Sequence, residues 1–501
     1  MHPNWLRRLG PLFPLRVILF TVLIVASTRT YGDPDLWGHV LFGGDIVRQR
    51  GVHHTDPYSF TSDRTWVNHE WLSEVVIYEA YAAAGGQGLV LLRVGAVCLV
   101  ALLALLHLRQ VRRDPVVHDA SLALVVLGIW GQTYTVRPQL FSVVFFALLL
   151  TVLVASERQP KWLWAVPLLM TFWVNLHGGW LVGAASAGLW VLGSALRRQR
   201  NRRYLVTAVA VGTVSVIALL VNPYGYGMLT FLFETVGPSR PDIREWLPVY
   251  RLGAYITVLW LVPIAFVMFV VVRSRGCVSL PSLLVLVMLG LMTFRVARLL
   301  GFLAIASVLL LKEGLESLAE RRAAKTTSRS EGPAWPWLVA AVVLAAGLLK
   351  GVQNSQCVEL VPQLYPEPEA VQFIKTEGLT GKAITYFDWG QYAIWHLQPG
   401  VKVSIDGRRE TVYSDEVLGA HRRLSLGEPR ALQFFNDRRP DFAWLPRGNL
   451  GIALLLRNGW TTAFDGPKSV ILVGRPGADA PPTAISMKEG TKKGVRCFPA
   501  P

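Results

Sequence analysis

The sequence predicts an α-helical polytopic membrane protein, with about eleven transmembrane helices and a C-terminal α/β domain on the extracytoplasmic side. Three observations predict it. Of 501 residues only 17% are charged and 52% are hydrophobic, where a soluble domain carries about 25% charged residues. The apolar residues gather into runs approaching the roughly 20 that cross a hydrocarbon core of about 30 Å. Lysine and arginine concentrate in alternate short loops between those runs, the bias that orients membrane helices. The 50 Lys+Arg against 33 Asp+Glu therefore point to the bilayer as partner, and not to nucleic acid.

The apolar runs lie near Leu15–Thr28, Gly88–Leu108, Ala120–Thr133, Leu140–Ala155, Trp162–Val174 and Leu181–Leu196. Further runs lie near Leu205–Val221, Tyr255–Val272, Leu280–Met292, Leu299–Leu311 and Trp337–Leu349. Several are short for a full crossing. The first follows Arg7, Arg8 and Arg16 without a convincing small-x-small cleavage site and reads as an uncleaved helix. The arginine-rich set comprises the loops at Arg109–Arg113, Arg158–Lys161, Arg197–Arg203, Arg273–Arg275 and Lys312–Arg329. Together with the N-terminus, these loops are assigned to the cytoplasm of a plasma (inner) membrane. The 29–87 loop, the 222–251 loop and everything beyond Lys350 then fall outside. Residues 1–351 form the transmembrane domain with its large first outer loop, and 321–336 a polar linker before the last span.

From Pro366 the pattern becomes that of a soluble α/β domain, spanning 352–475. A helix-like run ends near Gly378. Strands are expected at Ala383–Tyr386, Lys402–Ile405, Asp441–Trp444 and Ser469–Val473, alternating with helices at Gln391–Leu397 and Leu450–Arg457. The Pro-, Gly- and Ala-rich tail, 476–501, is expected to be disordered. The four cysteines (Cys98, Cys277, Cys357 and Cys497) have no metal-ligand spacing. Cys357 and Cys497 share the outer compartment, and their pairing is left open.

The first outer loop is the densest in chemistry. It reads Gly32-Asp-Pro-Asp-Leu-Trp-Gly-His39, then Thr55-Asp-Pro-Tyr-Ser, then Trp66-Val-Asn-His-Glu-Trp-Leu-Ser-Glu74. Asp33 and Asp35 stand at the membrane–water boundary, where a carboxylate takes a proton from a hydroxyl or holds a divalent cation. An Asp-Pro turn that starts a helix accounts for the same residues. His69-Glu70-Trp-Leu-Ser lacks the second histidine of a zinc-protease helix. His69 and Glu70 are read as lining a polar cavity or pairing with each other. On the outer side Arg137, Arg295 and Arg298 sit in short turns next to apolar helix ends, against the orientation bias, and need an anionic partner. Either a protein carboxylate or a lipid-linked phosphate gripped by the guanidinium fork would serve. His177, in Asn-Leu-His-Gly-Gly-Trp, is a secondary candidate.

These residues resemble the GT-C superfamily of polyprenyl-phosphate-dependent glycosyltransferases. Within it, the catalytic subunit of oligosaccharyltransferase is similar in several places. Its acidic motif after the first helix is matched by Asp33-Pro-Asp35, and its later loop motif ending in Glu by Asp242-Ile-Arg-Glu245-Trp. Its Trp-Trp-Asp-Tyr-Gly signature is matched by Tyr386-Phe-Asp388-Trp389-Gly-Gln-Tyr392, followed by Ile405-Asp406-Gly-Arg408. The second acidic motif is replaced by Thr135-Val-Arg137-Pro-Gln, which favours the metal-free members, where basic side chains hold the donor phosphate. The spans are also fewer than in oligosaccharyltransferase, so transfer to asparagine is not implied.

The resemblance implies a sugar transferred from a polyprenyl-phosphate donor to a glycan, lipid or protein acceptor. Asp33 or Asp35 would be the general base, and Arg137, Arg295 and Arg298 the phosphate ligands. His39, His69, Glu70, His177 and Glu245 would line the cavity. The resemblance leaves metal dependence open: either no cofactor, or Mg²⁺ or Mn²⁺ held at Asp33 and Asp35. The rival readings are a lipid-linked saccharide transporter, which would use the same arginines without chemistry, and a non-catalytic scaffold.

Overall fold

The computed structural model describes residues 13–111, 114–197, 202–236, 243–323, 335–474, 485–486 and 496–500. The chain forms two compact units. One joins residues 1–30 to 90–356; the other joins 31–89 to 357–501. The first outer loop thus belongs with the C-terminal region, where the sequence reading had kept it with the helices.

In the helical unit every one of the apolar runs falls on helix. Among the described residues, four helices are long and apolar enough to cross a membrane by length and composition: Trp71–His107, Gln139–Ser156, Ala254–Arg273 and Trp335–Ser355. Others, such as Pro115–Gly128, Trp180–Leu196 and Leu280–Arg295, are apolar but shorter. The most apolar window of Trp335–Ser355 is only 6% buried and that of Ala254–Arg273 only 11%. Such outward apolar faces are compatible with lipid and costly in water. Small residues set the close crossings. A Cβ at Gly347 would collide with Thr21 on helix Phe13–Thr28, and one at Gly193 would come within 2.7 Å of Pro281. Helix Trp71–His107 is broken at Ala84 and Gly85. Gly85 has φ +57°, which a side chain resists. Lys312–Ala323 is a helix that buries Gly314, Leu315, Leu318 and Ala319, where the charge pattern had suggested only a polar loop. Of the 321–336 linker, 324–334 lies outside the described residues.

The second unit contains two sheets. Its strands are β1 (Thr30–Gly32), β2 (Val358–Leu360), β3 (Gly381–Thr385), β4 (Val401–Val403) and β5 (Phe442–Pro446), then β6 (Thr461–Asp465), β7 (Ser469–Val473), β8 (Ile485–Ser486) and β9 (Arg496–Cys497). The larger sheet has the order β4-β3-β5-β7-β6-β8 and the smaller the order β1-β2-β9. Strand β3 is parallel to β4 and β5, whereas β7 is antiparallel to both β5 and β6. The expected strands all form within a residue or two. Strand β6 and the helices Asp415–Ser425 and Arg430–Arg438 are additions.

The tail departs from its expected disorder. Strand β9 pairs with β2, Cys497 forms a disulfide with Cys357, and Phe498 is buried. The reason is apolar: the Phe498 ring packs against Trp37, Tyr81 and Trp395. Residues 475–484 and 487–495 lie outside the described set.

The outer loop joins this unit along the exposed edge of β4. Ser59 forms a parallel bridge with Val403. The Val403 N–H donates to Tyr58 O (3.0 Å), and the Phe60 N–H donates to Val403 O (3.1 Å). Arg408 fastens the join. It donates to Asp406 (2.6 and 2.9 Å) and to Asp56 (2.7 and 3.0 Å), and Tyr413 OH donates to Asp406 at 2.9 Å. Phe42, Tyr58 and Trp66 surround the guanidinium, with ring centroids 4.6–5.4 Å away. Burial opposes its charge, but Asp406 and Asp56 outweigh that and hold Arg408 well above the usual arginine range.

Candidate active site

The candidate residues divide between the units. In the second unit the acidic motif ends β1 and starts helix Leu36–Gln49. Asp33 is 5% exposed, and its Oδ1 accepts the Asp35 N–H at 2.9 Å, a local turn that explains its place before the helix. Asp35 occupies the N-cap position without making a side-chain cap bond. It is only half-buried and lies against Gly407, where a Cβ would collide with Asp35 Oδ1. The turn account thus holds for Asp33, whereas Asp35 keeps a carboxylate that the helix start does not use.

One turn further on, the Gly38 N–H donates to Gln391 Oε1 at 3.2 Å, and His39 Nδ1 lies 3.2 Å from Glu74 Oε1. Asn68 Nδ2 donates to the other oxygen of Glu74 at 2.6 Å. Burial pushes His39 down, but the Glu74 hydrogen bond and the charges of Glu74, Glu70 and Asp35 bring it up to about 9. The His39–Glu74 pair therefore lies near enough to the acidic motif for His39 to feel the charge of Asp35. His69 Nε2 lies 3.5 Å from Glu70 Oε1, so these neighbours pair with each other.

The soluble-domain motif is mostly core. Trp389 is buried against Tyr386 and Trp444, and Tyr392 is buried against Trp37, Tyr365, His396 and Trp444. Asp406 and Arg408 form the clamp described above. Asp388 stands beside Tyr386, whose hydroxyl is pushed up first by burial and then by the Asp388 charge and hydrogen bond.

In the helical unit two of the three arginines converge. Arg298 Nη1 donates to Glu245 Oε1 at 2.8 Å, and Arg137 Nη1 lies 3.8 Å from the same oxygen. Arg298 also lies 5.7 Å from the Trp246 ring, and its backbone carbonyl accepts from Gln132. Both the guanidinium and the peptide of Arg298 are thereby fixed. Arg295, at the end of helix Leu280–Arg295, is exposed and makes no ion pair among the described residues. Arg137 and Arg298 thus share a protein carboxylate, that of Glu245. His177 follows helix Ala165–Leu176 and sits 2.7 Å from Ser142 Oγ. That oxygen also accepts the Trp173 indole N–H at 2.8 Å.

Arg93 escaped sequence reasoning. It is fully buried, within an apolar helix, and donates to the carbonyls of Ser27, Arg29 and Thr133 and to Thr30 Oγ1. It neutralises the carbonyl ends of helices Phe13–Thr28 and Trp130–Thr133. The only signal was an arginine inside an apolar run. Among the described residues no three His, Cys, Asp or Glu side chains gather as metal ligands.

In fold, the chain is similar to solved structures of membrane enzymes that share little of its sequence. No protein-family model and no curated protein matches the sequence. The oligosaccharyltransferase of Archaeoglobus fulgidus in the apo form matches with a TM-score of 0.57 and 11% identity, over 93% of this chain and 75% of that one. The same enzyme, AglB, in complex with an inhibitory peptide and dolichol-phosphate matches with a TM-score of 0.52 and 12% identity, over 87% and 69%. ArnT from Cupriavidus metallidurans bound to undecaprenyl phosphate matches with a TM-score of 0.51 and 13% identity, over 93% and 98%.

Proposed function

We propose that this protein is an inverting glycosyltransferase of the GT-C type, moving a sugar from a polyprenyl-phosphate donor to an acceptor hydroxyl on the extracytoplasmic face. The observation that carries this reading is the shared fold with two complexes of lipid phosphates, over 87% and 93% of this chain. Asp35 is the general base, because its carboxylate is not spent on the helix cap and is more exposed than that of Asp33. It takes the acceptor hydroxyl proton as that oxygen bonds to the anomeric carbon. The bond from that carbon to the phosphate oxygen breaks, and the electron pair leaves with the polyprenyl phosphate. Arg137 and Arg298, with Arg295 three residues before Arg298, neutralise that leaving group. In the unit of Asp35, His39, His69 and Glu70 contact substrate, and in the helical unit His177 does.

A divalent cation, if used, would be held by Asp33 and Asp35. Two carboxylates suit Mg²⁺ or Mn²⁺, which complete their shells with water and phosphate, better than zinc. Its chemistry would be charge neutralisation on the phosphate.

An extracytoplasmic site is supported by two independent features. The arginine-rich loops favour it, and the Cys357–Cys497 disulfide belongs to the unit they place outside, as disulfides persist in oxidising compartments.

The test is turnover of a radiolabelled polyprenyl-phosphate sugar by the full chain in lipid nanodiscs. A positioned base contributes roughly 10²–10⁴-fold, so D35N loses at least about a hundredfold in kcat while D33N loses less. Retention of full turnover in both D33N and D35N eliminates this mechanism.

A further inference from the structure

The carboxylate that holds Arg137 and Arg298 has the geometry of a stand-in. Both guanidinium groups point Nη1 at one oxygen, Glu245 Oε1, at 2.8 and 3.8 Å. One carboxylate oxygen thus faces two guanidinium groups. The two sides of the contact are built differently. Arg298 is anchored: its carbonyl accepts from Gln132, the neighbouring Ala297 N–H donates to Leu247 O at 3.2 Å, and its side chain is 20% exposed. Glu245 sits in the three-residue helical turn Arg244–Trp246 between extended Ile243 and Leu247, with its side chain 35% exposed. A flexible carboxylate can swing to water from such a turn while the arginines stay in place.

We propose that Glu245 is a built-in competitor for the anion site of Arg137 and Arg298, holding both arginines when no donor is bound and displaced by the donor's phosphate. This rests on the reading of those arginines as phosphate ligands. Glu245 has a defined consequence there. It excludes weak monoanions, which cannot replace an intramolecular carboxylate, and admits a phosphate that accepts from both guanidinium forks at once. It also keeps the two cations from losing their partner at an apolar helix end.

The experiment measures binding of farnesyl phosphate, and separately of inorganic phosphate, to the full chain in nanodiscs at fixed ionic strength. E245Q retains the size of the side chain and an oxygen for Arg298. It should bind farnesyl phosphate about two- to fivefold more tightly than wild type, the range expected for releasing a part-exposed ion pair. E245D keeps the carboxylate and should stay within about twofold of wild type. In an R298Q background the E245Q gain should vanish, whereas a long-range charge effect would persist. A parallel gain for inorganic phosphate assigns the site to the phosphate group alone; a gain confined to farnesyl phosphate assigns it to the lipid-linked form.

If E245Q binds no more tightly than wild type, or its gain survives R298Q, the competitor role is overturned while the phosphate reading stands. If neither wild type nor E245Q binds farnesyl phosphate, the phosphate reading falls and this inference with it.

Discussion

Replacing Arg408 with leucine should release the outer loop from the edge of β4. The guanidinium makes four charge-assisted bonds, two to Asp406 and two to Asp56, and both carboxylates are fully buried. Removing one partner of a buried pair costs about 3–5 kcal/mol, since the remaining charge has no compensation. Here two carboxylates are left facing each other, so the lower bound of about 3 kcal/mol is the conservative figure. At 1.36 kcal/mol per factor of ten, that corresponds to roughly 150-fold faster local opening. Hydrogen exchange on the full chain reads it at the amides that join loop and sheet, those of Phe60 and Val403. R408L should speed exchange there by at least about a hundredfold, and R408K, which keeps the charge without the bidentate fork, by less. The triple variant D56N/R408L/D406N, with no buried charge left, should recover most of the protection. Unchanged exchange in R408L, or a triple variant as open as the single one, would refute the clamp.

Four further outcomes follow from the same geometry. His39 is raised to about 9, above its unfolded value near 6.5. Its contribution to stability is therefore complete below about pH 6.5 and is lost as pH rises through 9, and H39Q should flatten that alkaline limb in thermal melts. His421 moves oppositely. Burial lowers it to about 4, Nδ1–H donates to Val417 O, and Nε2 accepts from Ser404, so its contribution is full above about pH 6.5 and declines toward pH 4; H421Q should remove that acid limb. The C357S/C497S variant should lose about 2–4 kcal/mol and expose the Trp37–Phe498 cluster, seen as a shift in tryptophan emission; identical emission in both forms would count against the packing of the tail. R93M should lower thermal stability in detergent by at least about 2 kcal/mol, because the carbonyls of Ser27 and Thr133 lose their donor; an unchanged melt would show that lipid or water replaces it.

Much of this fold is periodic and local, and was therefore legible in the chain. Apolar runs become helices because the unpaired backbone must be satisfied within the segment, and the strands of the soluble domain follow their alternation and flanking turns. The Asp33 turn, the His69–Glu70 pairing and the need of Arg137 and Arg298 for an anion were likewise readable from neighbours a few residues apart.

What the tertiary structure decided is every pairing across long separations. Asp56 and Arg408 are 352 residues apart and Arg298 and Glu245 are 53 apart. His39 and Glu74 are separated by 35 residues, and Cys357 and Cys497 by 140. Arg93 was visible as an arginine in an apolar run, but the helix ends it caps come from two other segments. The sequence alone determined the helices, the strands and the kinds of polar group available. Only the fold decided which carboxylate meets which cation, because ion pairs and edge pairings are set by where segments meet, and no local periodicity encodes that meeting.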